Sequence, residues 1–185
     1  MTIGVLAYQG SFAEHLAACQ RAGLRAIPVR NTEDLKKIDR IILPGGESTT
    51  ISKILHRTGF FGQLKKRIEE GMPVWGTCAG CILMATEVEG LTPQLSIMDM
   101  KVVRNAYGSQ LDSFTVLESV EGITDGPMPL EFIRAPVIEC VGKDVRILKT
   151  VEGRIVAAQQ GNRLATTFHP ELTDRGDFHL YFSKL

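Results

Sequence analysis

The chain has 185 residues, of which 44% are apolar and 23% are charged. This composition is typical of one packed domain over residues 1–185, and it excludes disordered, collagen-like and disulfide-scaffold chains. Lys and Arg number 21 and Asp and Glu number 21, so no net field attracts nucleic acid or an anionic membrane. The longest apolar run, 79–85, is far shorter than the ~20 residues that span a bilayer. Without a secretion signal, the four cysteines predict a cytoplasmic protein with reduced thiols.

The first half of the chain alternates strand and helix patterns. Strands are expected at 2–8, 25–30, 40–43 and 73–75, and helices at 11–22, 31–37, 49–57, 60–70 and after 78. Ser11 and Glu14 have the spacing of a capping box, which predicts the start of the first helix. Such alternation indicates parallel strands with helices on both faces of the sheet.

The pattern changes beyond Gly90. Strand-like segments with short turns are expected at 101–103, 114–117, 131–133, 137–141, 145–151, 154–160 and 164–168, followed by a helical pattern at 174–185. They predict an antiparallel meander added to the parallel sheet. The fold class is therefore α/β: a three-layer sandwich with a mostly parallel central sheet and extra antiparallel strands in the C-terminal half.

A cysteine stands at a predicted strand-to-helix turn. Residues 76–80 read Gly-Thr-Cys-Ala-Gly, the G-x-nucleophile-x-G elbow with Cys78 in the place of serine. The flanking glycines allow a tight turn, and the helix that follows favours a thiolate at its N-terminus. The same residues also form a C-x-x-C pair with Cys81, so a dithiol redox protein stays open as an alternative. A second alternative is that Cys78 is a buried structural cysteine. The four histidines show no zinc-ligand spacing, so no metal is expected.

A candidate base and its orienting acid follow a strand in the last third of the chain. Glu171 lies two residues after His169, where an extended chain returns to the same side, and Pro170 restricts the backbone between them. A carboxylate that orients an imidazole would activate a cysteine for acyl transfer. A lone histidine in this position would otherwise be structural.

Acyl transfer also needs hydrogen-bond donors for a developing oxyanion. Gly45 and Gly46 follow the third strand, and their backbone N–H groups could form an oxyanion hole with that of Ala79. The alternative is that these two glycines only form a strand-to-helix turn. The loop is neither a GxGxxG nor a GK[ST] phosphate-binding motif.

Taken together, residues 44–49, 76–80 and 168–171 resemble the class I glutamine amidotransferases, a family with a flavodoxin-like three-layer fold. Residues 104–108, Gln110, 112–114, 132–136 and 169–173 more specifically resemble the glutaminase subunits of pyridoxal 5'-phosphate synthases. The resemblance implies hydrolysis of L-glutamine to L-glutamate and ammonia by a Cys78–His169–Glu171 triad through a glutamyl thioester, without a cofactor. It also implies a separate synthase subunit as the partner that receives the ammonia.

The same resemblance implies that glutamine is bound by Gly46, Glu47, Ser48, Arg104, Ile133 and Arg134. Ser109 departs from the family pattern, where an arginine is expected, and Cys81 is not a family hallmark. Two further alternatives stay open beside the dithiol protein: an amidotransferase subunit of another biosynthetic pathway, and a catalytically silent member that only docks a partner.

Overall fold

The computed structural model describes residues 1–104 and 113–185. Residues 105–112, which carry Ser109 and Gln110, lie outside the described part. The strands are β1 (Ile3–Leu6), β2 (Ala26–Val29), β3 (Arg40–Leu43), β4 (Val74–Thr77), β5 (Ala85–Val88), β6 (Met98–Val103), β7 (Ser113–Glu118), β8 (Met128–Ile133), β9 (Val137–Val141), β10 (Arg146–Val151), β11 (Arg154–Gln160) and β12 (Arg163–Thr166). The helices are α1 (Phe12–Arg21), α2 (Thr32–Leu35), α3 (Ser48–Arg57), α4 (Phe60–Glu69), α5 (Ala79–Met84) and α6 (Asp177–Phe182), with a 3-10 turn at Pro170–Leu172.

One large mixed sheet organises the molecule, in the order β2-β1-β3-β4-β12-β11-β9-β6-β5, with β10 paired to β11. Strands β1, β2, β3, β4 and β12 pair in parallel. Strand β11 is antiparallel to β12, β9 and β10, and β9 is antiparallel to β6. The predicted α/β class, with a parallel sheet and antiparallel additions, is confirmed.

The core forms two layers, one on each face of the sheet. Helices α2 to α5 cover one face with Leu35, Leu55, Phe60, Leu64 and Leu83 among the buried side chains. Helices α1 and α6 and the β7–β8 hairpin cover the other, where Trp75, Phe132, Phe168, Phe178 and Phe182 pack together. Because both faces of the central strands are buried, these strands are continuous apolar runs rather than alternating ones.

The centre of the sheet determines where a functional site can form. Strands β3, β4 and β12 are parallel neighbours, and their register pairs Leu43 with Gly76 and Thr77 with Thr166. Their carboxyl ends therefore share one edge of the sheet. The segments that follow, at 44–46, 78–80 and 167–171, meet there although they are far apart in the chain.

The structure corrects several sequence expectations in the second half. Strand β5 was not predicted, because an apolar run such as 79–85 does not distinguish a helix from a strand by periodicity, and α5 ends after six residues. The C-terminal half is not a simple meander: β12 inserts parallel to β4, and β7 and β8 form a separate two-stranded sheet. The last helix occupies only Asp177–Phe182 of the predicted 174–185.

In the described part of the chain, no helix combines the length and the apolar character that crossing a membrane requires.

Candidate active site

A cavity of about 490 Å³ opens at the carboxyl edge of the central strands. Its size falls within the range of small-molecule sites. The residues that the sequence predicts for the site line it, apart from Glu171: Gly45, Gly46, Glu47, Ser48, Cys78, Ala79, Arg104, Ile133, Arg134 and His169. Glu171 is buried directly behind His169.

Cys78 occupies a strained turn between β4 and α5. Its φ of +47° and ψ of −102° are rarely adopted by residues other than glycine. The turn depends on its glycines, since a Cβ on Gly80 would lie 1.9 Å from the carbonyl oxygen of Leu43, and one on Gly76 would lie 2.5 Å from backbone atoms of Gly80. The elbow geometry therefore presents the cysteine at the cavity, as the motif requires.

His169 and Glu171 form a close pair beside Cys78. Nδ1 of His169 lies 2.7 Å from Oε1 of Glu171. The reason differs from the one predicted: Pro170–Leu172 is a 3-10 turn and not an extended segment, so the turn brings the carboxylate back to the imidazole. With Nδ1 bound to the carboxylate, Nε2 is left as the imidazole nitrogen available for proton transfer.

The electrostatics of the pair favour a charged imidazole next to an ionised carboxylate. Burial opposes the charged form of His169, but hydrogen bonding to Cys78 and to Glu171 outweighs it and raises the pKa of His169 to about 10. Burial likewise opposes ionisation of Glu171, yet the electrostatic contact with the nearby ring of His15 and the hydrogen bonds from His169 and Ser11 lower its pKa to about 2. Each group therefore stabilises the charge of the other.

The capping-box prediction for Ser11 is wrong. Ser11 precedes α1, but its side chain makes no capping hydrogen bond. Its hydroxyl instead donates to Oε1 of Glu171 at 2.6 Å, and its backbone N–H donates to the carbonyl oxygen of Gly45 at 3.0 Å. Ser11 thus connects the start of α1 to the carboxylate and to the glycine loop.

The glycine loop packs directly on the imidazole, because a Cβ on Gly45 would lie 2.2 Å from Cε1 of His169. The N–H of Gly45, however, donates to Oγ1 of Thr77 at 3.0 Å in the buried interior. This N–H is occupied by Thr77 in this structure, so Gly45 does not offer it to the cavity, and its role as an oxyanion donor stays a prediction. Gly46 and Ala79, which also line the cavity, remain the predicted donors.

Glu47 has a structural role that the sequence reasoning did not assign. Its carboxylate caps α3, accepting from the backbone N–H groups of Thr49 and Thr50 at 3.1 and 2.7 Å and from both hydroxyls. Hydrogen bonds from these two threonines lower the pKa of Glu47 to about 2. Nη2 of Arg104 lies 3.7 Å from the same carboxylate. Glu47 therefore lies at the cavity with its carboxylate already engaged by the first turn of α3, and Arg104 lies beside it.

Two other predicted ligand-binding residues have features that suit a polar ligand. Oγ of Ser48 is buried and has no hydrogen-bond partner within the described residues, although Ser48 lines the cavity. Arg134 is exposed and adopts a φ of +43°, next to Ile133 at the end of β8. The carbonyl oxygen of Ile133 is 4.0 Å from Sγ of Cys78.

Cys81 lies in α5 with no exposed surface. Burial, and secondarily the neighbouring Cys78, raise the pKa of its thiol. A thiol that resists ionisation in this way is a poor partner for dithiol exchange. The redox alternative is therefore disfavoured.

Three further polar residues near the site were missed in the sequence: His15, Thr77 and His179, all buried. The sequence offered only a weak indication that these residues lie near the site. Ser11 and His15 are four residues apart, which places them on one face of the first helix. In the described ranges, no group of three or more His, Cys, Asp or Glu side chains is arranged to hold a metal ion.

A parallel sheet with a cysteine elbow and a histidine–carboxylate pair at its carboxyl edge is the architecture of the class I glutamine amidotransferases. A solved glutamine amidotransferase structure superposes with a TM-score of 0.92 at 43% identity, covering 98% of this chain and 97% of that chain. The pyridoxal 5'-phosphate synthase subunit PdxT of Clostridium acetobutylicum is 49% identical over 100% of both chains. PdxT of Clostridium beijerinckii is 51% identical over 100% of this chain and 97% of its own.

The model of the SNO glutamine amidotransferase family matches residues 5–184. The chain belongs to the SNO glutamine amidotransferase family.

Proposed function

We propose that this chain is the glutaminase subunit of a pyridoxal 5'-phosphate synthase, a single domain over 1–185 that hydrolyses L-glutamine to L-glutamate and ammonia. The observation that carries the proposal is the 2.7 Å contact between Nδ1 of His169 and Oε1 of Glu171, beside Cys78 in one cavity. The PdxT name of full-length relatives at about half identity supports the pathway.

In the proposed reaction, the Cys78 thiolate attacks the side-chain amide carbon of glutamine. The C–N bond breaks as His169 donates its Nε2 proton to the departing nitrogen, which leaves as ammonia. His169 then takes a proton from water, the resulting hydroxide attacks the glutamyl thioester, and the C–S bond breaks to release glutamate and the thiolate. Glu171 holds the imidazole in one orientation throughout.

The developing oxyanion would be stabilised by the backbone N–H groups of Gly46 and Ala79. Arg104 and Arg134 would bind the α-carboxylate of glutamine, since a guanidinium matches a carboxylate in shape and charge. Ser48 would supply its unpaired hydroxyl, and Ile133 would contact the methylene groups. Glu47 would contribute through Arg104, because its own carboxylate is engaged at α3.

The partner in this proposal is the synthase subunit, which receives the ammonia. Ammonia released to water would be protonated and diluted, so direct transfer preserves the nucleophile. A cytoplasmic location belongs to the proposal, because that compartment keeps a catalytic thiol reduced.

The test measures glutamate release by the purified chain, alone and mixed with a bacterial pyridoxal 5'-phosphate synthase subunit. We expect turnover in the mixture, its loss in Cys78→Ala, and wild-type turnover in Cys140→Ala, which replaces the exposed cysteine of β9. Cys81→Ala should also remain active, whereas a dithiol enzyme would lose its activity with either cysteine.

Glutamine labelled with ¹⁵N at the amide separates this pathway from other amidotransferases. In the mixture supplied with the synthase substrates, the label should appear in pyridoxal 5'-phosphate. Glutamate release without any transfer of label would contradict the proposed partner, and no release in the mixture would contradict the glutaminase itself.

A further inference from the structure

A pair of buried histidines, His15 on α1 and His179 on α6, lies behind the triad. Both side chains have 0% exposure. Nδ1 of His15 is 3.0 Å from Nε2 of His179, and Nε2 of His15 is 3.1 Å from Oγ1 of Thr77 and 3.4 Å from Oε2 of Glu171. Neither histidine lines the cavity, so neither can touch a ligand there.

The contacts of Glu171 determine where the protons of this pair must lie. Oε1 accepts from Ser11 and from His169, while Oε2 is buried and has no well-formed hydrogen bond within the described residues. The nitrogen that faces Oε2 is Nε2 of His15. A lone pair on this nitrogen would face the carboxylate at 3.4 Å, whereas an N–H there is attracted to Oε2 and also donates to Oγ1 of Thr77 at 3.1 Å, so we assign the proton to Nε2.

The rest of the assignment follows from His179. Nδ1 of a neutral His15 protonated at Nε2 is an acceptor, so His179 must donate from its own Nε2. Nδ1 of His179, which is buried without a partner among the described residues, then carries only a lone pair. The opposite tautomers would bury an unpaired N–H at this position, which is the costlier arrangement.

We propose that His15 and His179 are positioning residues of the glutaminase: His179 fixes the tautomer of His15, and the Nε2–H of His15, which hydrogen-bonds to Oγ1 of Thr77, also faces Oε2 of Glu171 at 3.4 Å and attracts it. Ser11 and His169 hold the other oxygen, so the carboxylate has one orientation and presents one fixed acceptor to the imidazole. This inference rests on the proposed function for its kinetic consequence but not for its geometry.

Burial keeps both histidines uncharged. It lowers the pKa of His15 and lowers that of His179 to about 3. The other charged groups that act on the pair are His169 and Glu14 on His15, and Arg21 on His179. A neutral pair avoids a positive charge beside the imidazolium of His169, which a protonated His15 would oppose.

His15 also contacts the turn that carries Cys78. Oγ1 of Thr77, the residue before Cys78, faces Nε2 of His15 and accepts from the N–H of Gly45. The histidine pair therefore contacts both the carboxylate and the hydroxyl that holds the glycine loop.

The kinetic test compares substitutions of similar size with the synthase subunit present. His15→Leu removes the donor, while His15→Gln keeps an N–H near the position of Nε2. We expect His15→Leu to lower kcat by roughly tenfold to a hundredfold, the effect of a misplaced catalytic group, with an unchanged KM for glutamine. His15→Gln should recover most of the lost kcat. Likewise, His179→Gln should have a higher kcat than His179→Leu.

The pH profile separates positioning from a general loss of structure. Without the donor at Oε2, the pKa of Glu171 rises, so the acidic limb of kcat/KM should move to higher pH in His15→Leu and stay in place in His15→Gln. A merely structural role would lower the amount of active enzyme without moving the limb. Wild-type kcat and an unmoved limb in His15→Leu would overturn the proposal.

Imidazole ¹⁵N NMR of the unmodified chain tests the geometry without turnover and without a variant that must fold. We expect His15 and His179 to be neutral near pH 7 and protonated at Nε2. A bare Nε2 or a doubly protonated ring at His15 would refute the inference. If the wild type shows these tautomers but releases no glutamate in the mixture, the proposed function fails and the geometric inference stands.

Discussion

Substitution of Ser11 distinguishes a helix cap from a partner of the buried carboxylate. The hydroxyl of Ser11 donates to Oε1 of Glu171 at 2.6 Å, and it makes no capping bond to α1. A hydrogen bond to a charged group contributes about 1.5–3 kcal/mol. Ser11→Ala should therefore lower the free energy of unfolding near pH 7 by about that amount and raise the pKa of Glu171 by about one to two units.

The pH dependence of this loss has a definite sign. Because the pKa of Glu171 lies below its usual value of 4.5, at about 2, its ionisation stabilises the fold above pH 4.5, and this contribution is lost as the pH falls toward 2. The difference between wild type and Ser11→Ala should therefore shrink over the same range. A cap would instead contribute about 1 kcal/mol at every pH.

Urea unfolding near pH 7 provides the decisive comparison, with two further variants. Ser11→Thr keeps the hydroxyl and should retain most of the stability. Ser11→Asp is a good helix cap, but it places a second carboxylate against Glu171, so it should be less stable than Ser11→Ala. Replacement of the exposed Ser119 by alanine is the control and should change little. Ser11→Asp at wild-type stability would refute the assignment of Ser11 to the carboxylate.

Three further variants test the interior beside the site. Thr77→Val should lower the free energy of unfolding by about 1–3 kcal/mol in urea, because it leaves the buried N–H of Gly45 unpaired. Gly80→Ala should destabilise by about 3 kcal/mol or more, since its Cβ would lie 1.9 Å from a carbonyl oxygen at the end of β3; Gly62→Ala in α4, where nothing lies within 4 Å, should instead stabilise by about 0.5–1 kcal/mol. The pKa of His179 is lowered from 6.5 to about 3. Below pH 6.5 this histidine is protonated in the unfolded chain but stays neutral in the folded chain, so the fold loses stability as the pH falls. When the pH falls from 7 to 5, the free energy of unfolding of His179→Gln should decrease by about 2 kcal/mol less than that of the wild type. Equal decreases would contradict a neutral buried ring.

The strand and helix alternation of the first half was predictable because local signals agree there. Residues 40–43 and 60–70 combine a clear period with turn glycines, and β3 and α4 form at these positions. The insertion of β12 beside β4 could not be predicted in the same way. Residues 163–166 look like one more strand of a meander, and only long-range pairing places them at the centre of the sheet.

The residues of the candidate site were predictable as identities but not as contacts. The elbow and the His-Pro-Glu segment are short motifs whose spacing points to their chemistry. The direction of a backbone N–H is a different matter: that of Gly45 turns inward because Thr77, 32 positions away, offers a hydroxyl. Similarly, the sequence suggests that the carboxylate of Glu47 is free, yet it accepts hydrogen bonds from the backbone N–H groups in the first turn of α3.

The burial of Glu171 explains why the polar residues behind the triad exist and why no motif shows them. An ionised carboxylate removed from water needs several donors, since a buried charge without them would be neutralised or would destabilise the fold. His169 is two positions away, but Ser11 is 160 positions away and His15 belongs to the first helix. A buried His-Pro-Glu segment therefore requires donors from elsewhere in the chain, and the side chains with an N–H or O–H on the covering segments form the class that can supply them. Which members do so depends on how α1 and α6 pack on the sheet, and that packing is set by apolar side chains such as Phe178 and Phe182, which carry no information about the reaction.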